Sequence, residues 1–346
     1  MRHFKRWTAA ALSAAMLTAN VHAAQTSSFS DVPSDHWAAQ SVERCAQYGL
    51  IRGIGAGRFG LGEGMTRAAY ATMLCRLMGW DMISPETGSF TDNQDTEEWY
   101  YSAIETAYRH GALTGESRLC RPNDPITREE AAKMTVRALG LTMLSGTAAE
   151  GLPFTDVTMA RGYVALAYHM GIMQGVSPHR FEPKGETARE QAAVILLRTY
   201  DRLHAQIQVS EGSDAMPPEG SVTVQSITEE SGSVPVSPRA PMEAVYDAAV
   251  QAGEGGSVTM RIAPLLQVTR NGAVTETREL TEGELLELLA EGTMREHRSA
   301  QHESSCIYRA EKDGSVTTVW YEDDEDVAKK VELCRLLGVK NVTVLT

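Results

Sequence analysis

The sequence predicts a multi-domain chain: three tandem helix pairs, then a linker, then a small α+β domain. Three observations predict it. Arg67, Arg128 and Arg189 recur at one interval of 61 residues, each opening a helical pattern. Phe29-Ser30-Asp31, Phe90-Thr91-Asp92 and Phe154-Thr155-Asp156 recur ahead of them. Past residue 204 the helix pairs stop, prolines accumulate, and after 241 strand patterns alternate with helices. A fixed period of this length marks one structural unit used three times.

The first segment, 1–24, reads as a secretory signal. Arg2, Lys5 and Arg6 precede the small apolar run Trp7 to Ala19, and Val21-His22-Ala23 offers small residues for cleavage. The run is too short to span a bilayer, so no membrane is expected as a partner after cleavage. The formal charge is −13, and losing Arg2, Lys5 and Arg6 takes it three further, to −16. Such a chain is a poor match for nucleic acid or an anionic surface. An anionic ligand must be held by locally placed arginines.

Each repeat reads as helix, glycine loop, helix. In the first, Trp37 to Tyr48 carries an apolar stripe at Trp37, Ala38, Val42, Cys45 and Ala46, and Gly49 stands where the helix should stop. Thr66 takes the N-cap position of a second helix that runs to about Met78. The second repeat follows the same plan, with a helix over Glu98 to His110. Its second helix opens on Thr127, with Glu130 three residues on as a capping box. A glycine pair recurs between the helices, as Gly49 with Gly53, Gly111 with Gly115 and Gly171 with Gly175. Neither helix of a pair can bury its apolar face alone, so the units should pack together.

Residues 205–240, with Pro217-Pro218, Pro235 and Pro238 among Ser, Glu and Gly, read as an exposed linker with a weak strand pattern over Ser221 to Ile227. Residues 241–346 read as the α+β domain. Its signals are a helix over Met242 to Gln251, a strand run Val258 to Val268 interrupted by Pro264, and the hairpin turn Asn271-Gly272. Thr281 and Glu284 form a capping box. Cys306 to Arg309 and Ser315 to Tyr321 read as strands paired around Asp313-Gly314. The helix Asp324 to Leu337 is acidic at its start and stops at Gly338, ahead of a last strand.

The repeated Phe-x-Asp, helix, glycine loop and Thr-Arg-Glu-like helix start resembles the S-layer homology module, three times over, with modules at 25–88, 89–150 and 151–204. The resemblance implies an all-α, pseudo-threefold, three-pronged bundle. It also implies binding of a peptidoglycan-linked secondary cell-wall polysaccharide, often anionic through pyruvylated sugars, and hence a place at the cell wall or S-layer. It carries the ligand-gripping arginine onto Arg67, Arg128 and Arg189, the repeat-start aspartate onto Asp31, Asp92 and Asp156, and a first-helix tryptophan onto Trp37 and Trp99. Independently of the family, a guanidinium fork at a helix start matches a carboxylate bidentately.

The bland roles are pairing of each arginine with the nearby aspartate and aromatic, aspartates capping the first helices, and tryptophans in the core. The third repeat departs most, with Ala188 for threonine, Gln191 for glutamate and Met159 for tryptophan; the first has Ala69 for glutamate. Repeats one and two are therefore the stronger candidates.

Other constellations are weaker. Tyr308 to Val344 faintly resembles the end of a chitinase-like (family 18) glycoside hydrolase barrel. The stretch is too short for a barrel, and no Asp-x-x-Asp-x-Asp-x-Glu segment supplies its acid. His297, His302, Glu303 and Cys306 approach a metalloprotease pattern, but Arg295 to Ser305 reads as a polar loop, and no metal or cofactor is expected. The acidic run from Glu322 lacks the spacing of a calcium loop. Five cysteines (Cys45, Cys75, Cys120, Cys306, Cys334) are too few and too odd in number for a disulfide framework, so buried thiols are expected. Pairing of Cys45 with Cys75, or Cys306 with Cys334, is the other reading. The expected function is non-covalent wall anchoring that displays the C-terminal domain. The alternatives are a wall-associated glycan-modifying enzyme and a structural S-layer subunit.

Overall fold

The computed structural model describes residues 29–148, 151–212, 220–224, 240–299 and 303–346. The expected signal segment and residues 225–239 lie outside the described residues. The chain divides into two compact units, 29–204 and 205–346.

The first unit is built on α1 (Ala39–Gln47), α2 (Arg67–Leu77), α3 (Tyr101–Arg109), α4 (Arg128–Ala138), α5 (Arg161–His169) and α6 (Arg189–Leu203), with a 3₁₀ turn at Thr142–Gly146. Packing crosses the repeat boundaries. α2 packs on α3, α4 on α5, and α6 returns to α1, while α2 also meets α4 and α6. The seams explain two buried cysteines: Cys45 Sγ donates to Ala193 O at 3.3 Å and Cys75 Sγ to Ala103 O at 3.5 Å. All five cysteines are free and buried. The α6–α1 seam is clasped at its surface by Arg44 and Asp201, 2.7 Å apart, and by stacking of Tyr48 on Tyr200.

At the middle, three residues spaced by the repeat interval close a ring of backbone hydrogen bonds. Met65 N–H donates to Thr187 O at 2.9 Å, Thr187 N–H to Ile126 O at 2.9 Å, and Ile126 N–H to Met65 O at 2.8 Å. All three residues are buried. The ring ties the residues just ahead of α2, α4 and α6 to one another and satisfies buried amides that helices alone would leave orphaned.

The Phe-x-Asp and glycine signatures serve each other. A Cβ on Gly115 would lie 2.4 Å from the Phe90 ring, and Gly53 and Gly175 stand in the same relation to Phe29 and Phe154. No larger residue fits there. The aspartates do not cap the first helices, which is a correction to the sequence expectation. α1 and α3 begin without a side-chain cap, and the carboxylates bind loop amides instead. Trp37 and Trp99 stand just before α1 and α3, outside the core, at 63% and 64% exposure; Met159 at the matching place is 83% exposed. The expectation of core tryptophans is also corrected. An apolar residue at the first position of a helical stripe looks core-facing by period, but here it lies in the turn before the helix.

The second unit holds two sheets. A parallel sheet runs β1 (Gln208–Gly212), β9 (Asn341–Leu345), β3 (Ser257–Arg261), β2 (Val222–Thr223). Helix α7 (Met242–Ala252) packs on β2, β3 and α9 (Asp324–Leu336). An antiparallel sheet has β5 (Ala273–Glu279), β4 (Leu265–Arg270), β8 (Ser315–Tyr321), β7 (Ser304–Ala310) and β6 (Arg295–Ser299) in that order. Against it, α8 (Glu282–Glu291) buries Leu285 beside Leu280, Ile307, Val319 and Tyr321. The single strand run expected around Pro264 is two strands in different sheets, because proline cannot donate to a ladder. Asn271 and Gly272 both take positive φ, 53° and 81°, in the β4–β5 turn.

Two further expectations are corrected. Part of the stretch read as linker is β1 and β2, paired in parallel with β9 and β3, so this unit begins near 205 rather than 241. Most of the stretch read as a polar loop is strand: β6 (Arg295–Ser299) pairs antiparallel with β7, and His297 lies exposed opposite Cys306, while His302 lies outside the described residues. A strand cannot present the one-face spacing that a helical zinc motif requires.

Candidate functional site

Each repeated arginine leaves its own repeat and reaches the loop of the next. Arg67 Nε donates to Cys120 O at 2.8 Å, Arg128 Nε to Phe181 O at 2.8 Å, and Arg189 Nε to Phe59 O at 2.9 Å. The aspartates take the other side of the same residues. Asp92 accepts from Cys120 N–H at 2.9 Å, Asp156 from Phe181 N–H at 2.9 Å, and Asp31 from Phe59 N–H at 2.6 Å. Each also accepts from the next amide, at Arg121, Glu182 and Gly60. Burial alone would raise these carboxyls, but the loop N–H groups outweigh it and hold all three below the ordinary value.

The arginines are correspondingly enclosed. Arg67 is 6% exposed and Arg128 9%. Burial lowers the pKa of all three guanidiniums, although arginine stays charged throughout the ordinary pH range. Arg128 lies over the Phe181 ring at 4.6 Å and Arg189 over Phe59 at 5.1 Å, while Cys120 takes the ring's place for Arg67. A second nitrogen of Arg128 donates to Gln174 O at 2.7 Å, and one of Arg189 to Arg52 O at 2.9 Å. Arg67 instead meets Glu130 at 2.8 Å. Only the second repeat has a glutamate at this place, since Ala69 and Gln191 stand at the other two.

The groove between the start of α2 and the second repeat holds a cavity of about 150 Å³, lined in part by Arg67, Arg121, Glu130, Lys133 and Arg137. Glu130 is shared by Arg67 and Arg121, at 2.8 and 2.7 Å. Burial would raise its carboxyl, but the Thr127 N–H, Arg67, the Thr127 hydroxyl and Arg121 together hold it low. Lys133 lies 3.9 Å from Glu129, whose main partner is Lys184 at 2.5 Å. Cations therefore outnumber carboxylates in a groove of a strongly acidic chain, and such a groove attracts a polyanion locally.

The structure thus brings the repeated arginines and aspartates together but leaves Trp37 and Trp99 outside the residues lining this cavity. It also adds residues that sequence reasoning missed. Arg76, Arg137 and Arg198 lie in the last turns of α2 and α4 and near the end of α6, all half-buried, and recur at the same interval of 61. That interval was readable, but a basic residue near a helix end is ordinary dipole compensation and does not stand out.

Models of known families match the chain three times with the S-layer homology domain, at 28–71, 89–132 and 153–193. An S-layer protein of Bacillus thuringiensis subsp. finitimus is 28% identical over 62% of the chain and 26% of its own length. The amylopullulanase of Thermoanaerobacterium thermosulfurigenes is 34% identical over 49% of the chain and 9% of its own length. The exoglucanase XynX of Acetivibrio thermocellus is 32% identical over 49% and 16%. The chain thus spans about a quarter or less of these relatives. Among solved structures, a sporulation-specific glycosylase of Bacillus subtilis overlaps 39% of the chain and 51% of its own at 14% identity, with a TM-score of 0.29, which is too slight to carry a fold or an activity. The S-layer and cell-surface relatives place the chain among secreted proteins of the cell wall and surface. The chain carries three S-layer homology domains in tandem ahead of an α/β portion.

Proposed function

We propose that the first unit anchors the protein to the cell wall by gripping an anionic, peptidoglycan-linked secondary polysaccharide in the grooves between repeats. The repeated clamp, in which each helix-start arginine holds the loop of the next repeat, supports a groove of this kind at each crossing, of which the Arg67 crossing carries the cavity. The observation that carries the reading is the Arg67 groove, lined by Arg67, Arg121, Lys133 and Arg137, in which Glu130 is already shared by Arg67 and Arg121. A pyruvylated or otherwise carboxylated sugar is the ligand class that a guanidinium-rich groove fits. The exposed Trp37 and Trp99 offer flat apolar faces for sugar rings nearby in sequence.

The C-terminal unit is, on this reading, displayed cargo rather than a glycosidase. Glu322, one substitute for the missing acid, is buried against Lys330 and accepts from Ser304 Oγ at 2.8 Å. Glu303, the other, is held by Lys329 at 2.9 Å and Arg298 at 3.2 Å. Neither stands free to protonate a leaving group.

Cosedimentation of the secreted chain with purified sacculi tests the anchor. Binding is expected to sacculi that keep the secondary polymer and to disappear from sacculi stripped of it. Equal binding to both preparations would sink the mechanism.

A further inference from the structure

The arginines of the helix starts are poorly placed to meet a ligand, because Arg67 and Arg128 are almost wholly enclosed and all three commit Nε and a terminal nitrogen to the protein. Arg128 and Arg189 each spend Nε and a terminal nitrogen on backbone carbonyls, and Arg67 spends Nε on a carbonyl and a terminal nitrogen on Glu130. A second arginine, Arg137, lines the Arg67 groove, and Arg76 and Arg198 stand at the matching positions of the other repeats. Arg137 borders the Arg67 cavity and uses one nitrogen on Thr114 Oγ1 at 2.9 Å. Arg198 reaches Ile172 O at 3.4 Å, two residues from the carbonyl that holds Arg128. No carboxylate lies within ion-pair reach of Arg76, Arg137 or Arg198 among the described residues.

We infer that Arg137 is the ligand-contacting cation of the Arg67 groove, with Arg76 and Arg198 as its equivalents in the other repeats, binding the oxyanion of the wall polymer, while Arg67, Arg128 and Arg189 are positioning residues that hold the neighbouring loops. This rests on the proposed wall-polymer binding. Arg137 is the best prepared of the three, since its guanidinium lies over the Tyr163 ring at 5.1 Å, with one edge on Thr114. Stacking fixes the plane of the fork, so little side-chain freedom is lost when an oxyanion arrives. The half-buried position strengthens the attraction without removing the group from reach.

The test uses the full secreted chain and polysaccharide released from purified sacculi, in native and carboxyl-reduced form, at several salt concentrations. Arg137→Gln is expected to weaken binding roughly tenfold and flatten the salt dependence. Its unfolding midpoint should stay within about 2 °C. Arg137→Lys keeps stem and charge but loses the fork; it is expected to bind several-fold more weakly than the parent and covers the case in which the glutamine variant folds poorly. Carboxyl reduction that erases the difference between parent and Arg137→Gln assigns the oxyanion to a carboxylate; a difference that persists assigns it to phosphate, and both support the inference. A parent chain that binds while Arg137→Gln and Arg137→Lys bind equally well overturns the inference and leaves the anchor standing. A folded parent chain that binds no polymer overturns both.

Discussion

Asp31 and Arg189, near the two ends of the first unit, hold opposite sides of one residue: Asp31 takes the N–H of Phe59 and Arg189 donates to its carbonyl. Asp92 with Arg67 does the same at Cys120, and Asp156 with Arg128 at Phe181. The two most conspicuous repeated charges therefore meet through a shared peptide rather than through each other. The first clamp joins the last repeat to the first, so the closed arrangement depends on residues far apart in the chain.

Glu130 should be the most costly single carboxylate of the first unit to remove. Glu130→Gln leaves Arg67, 6% exposed, beside Arg121 without the one carboxylate it pairs with directly. Loss of one partner from such an enclosed pair costs about 3 kcal/mol. Denaturant unfolding followed by helix circular dichroism checks it; an unchanged midpoint would show that the pair contributes nothing.

Acid should loosen the same unit. Asp31, Asp92, Asp156 and Glu130 are all held below their ordinary values of 3.8 and 4.5. The unfolded chain then takes up protons first, so the stability is fully present above the ordinary values and is lost as pH falls through the lower, folded ones. The denaturant midpoint is expected to hold from neutral pH to about 5 and to drop below about 4. A midpoint that rose on acidification would contradict the clamp.

In the second unit, Lys330 and Glu322 form a fully enclosed pair across α9 and the end of β8. Burial pushes the Glu322 carboxyl up to about 7 despite the pull of Lys330, and lowers Lys330. Lys330→Met or Glu322→Leu alone is expected to cost about 3–5 kcal/mol, and the double variant much less, because two apolar side chains leave no orphaned charge. Additive losses in a double-mutant cycle would mean the pair is not coupled.

The sequence by itself determined the period, the six helices of the first unit and their starts at Arg67, Arg128 and Arg189. These are local matters of apolar spacing, of the caps at Thr66 and Thr127, and of glycine stops, and they show in one segment at a time. It likewise showed the Asn271-Gly272 turn and the cap at Thr281. What a charged side chain touches was not local. The aspartates look like helix caps until the loop amides fold back onto them, and Trp37 and Trp99 look like core until each helix begins after its tryptophan. Strand β1 escaped notice, and β2 showed only as the weak alternation over Ser221 to Ile227, because short parallel strands depend on β9 and β3 from distant sequence and carry almost no pattern of their own. Only the tertiary structure decided that each repeat completes its groove with the next, because one helix pair cannot bury its apolar face and must borrow its neighbour's.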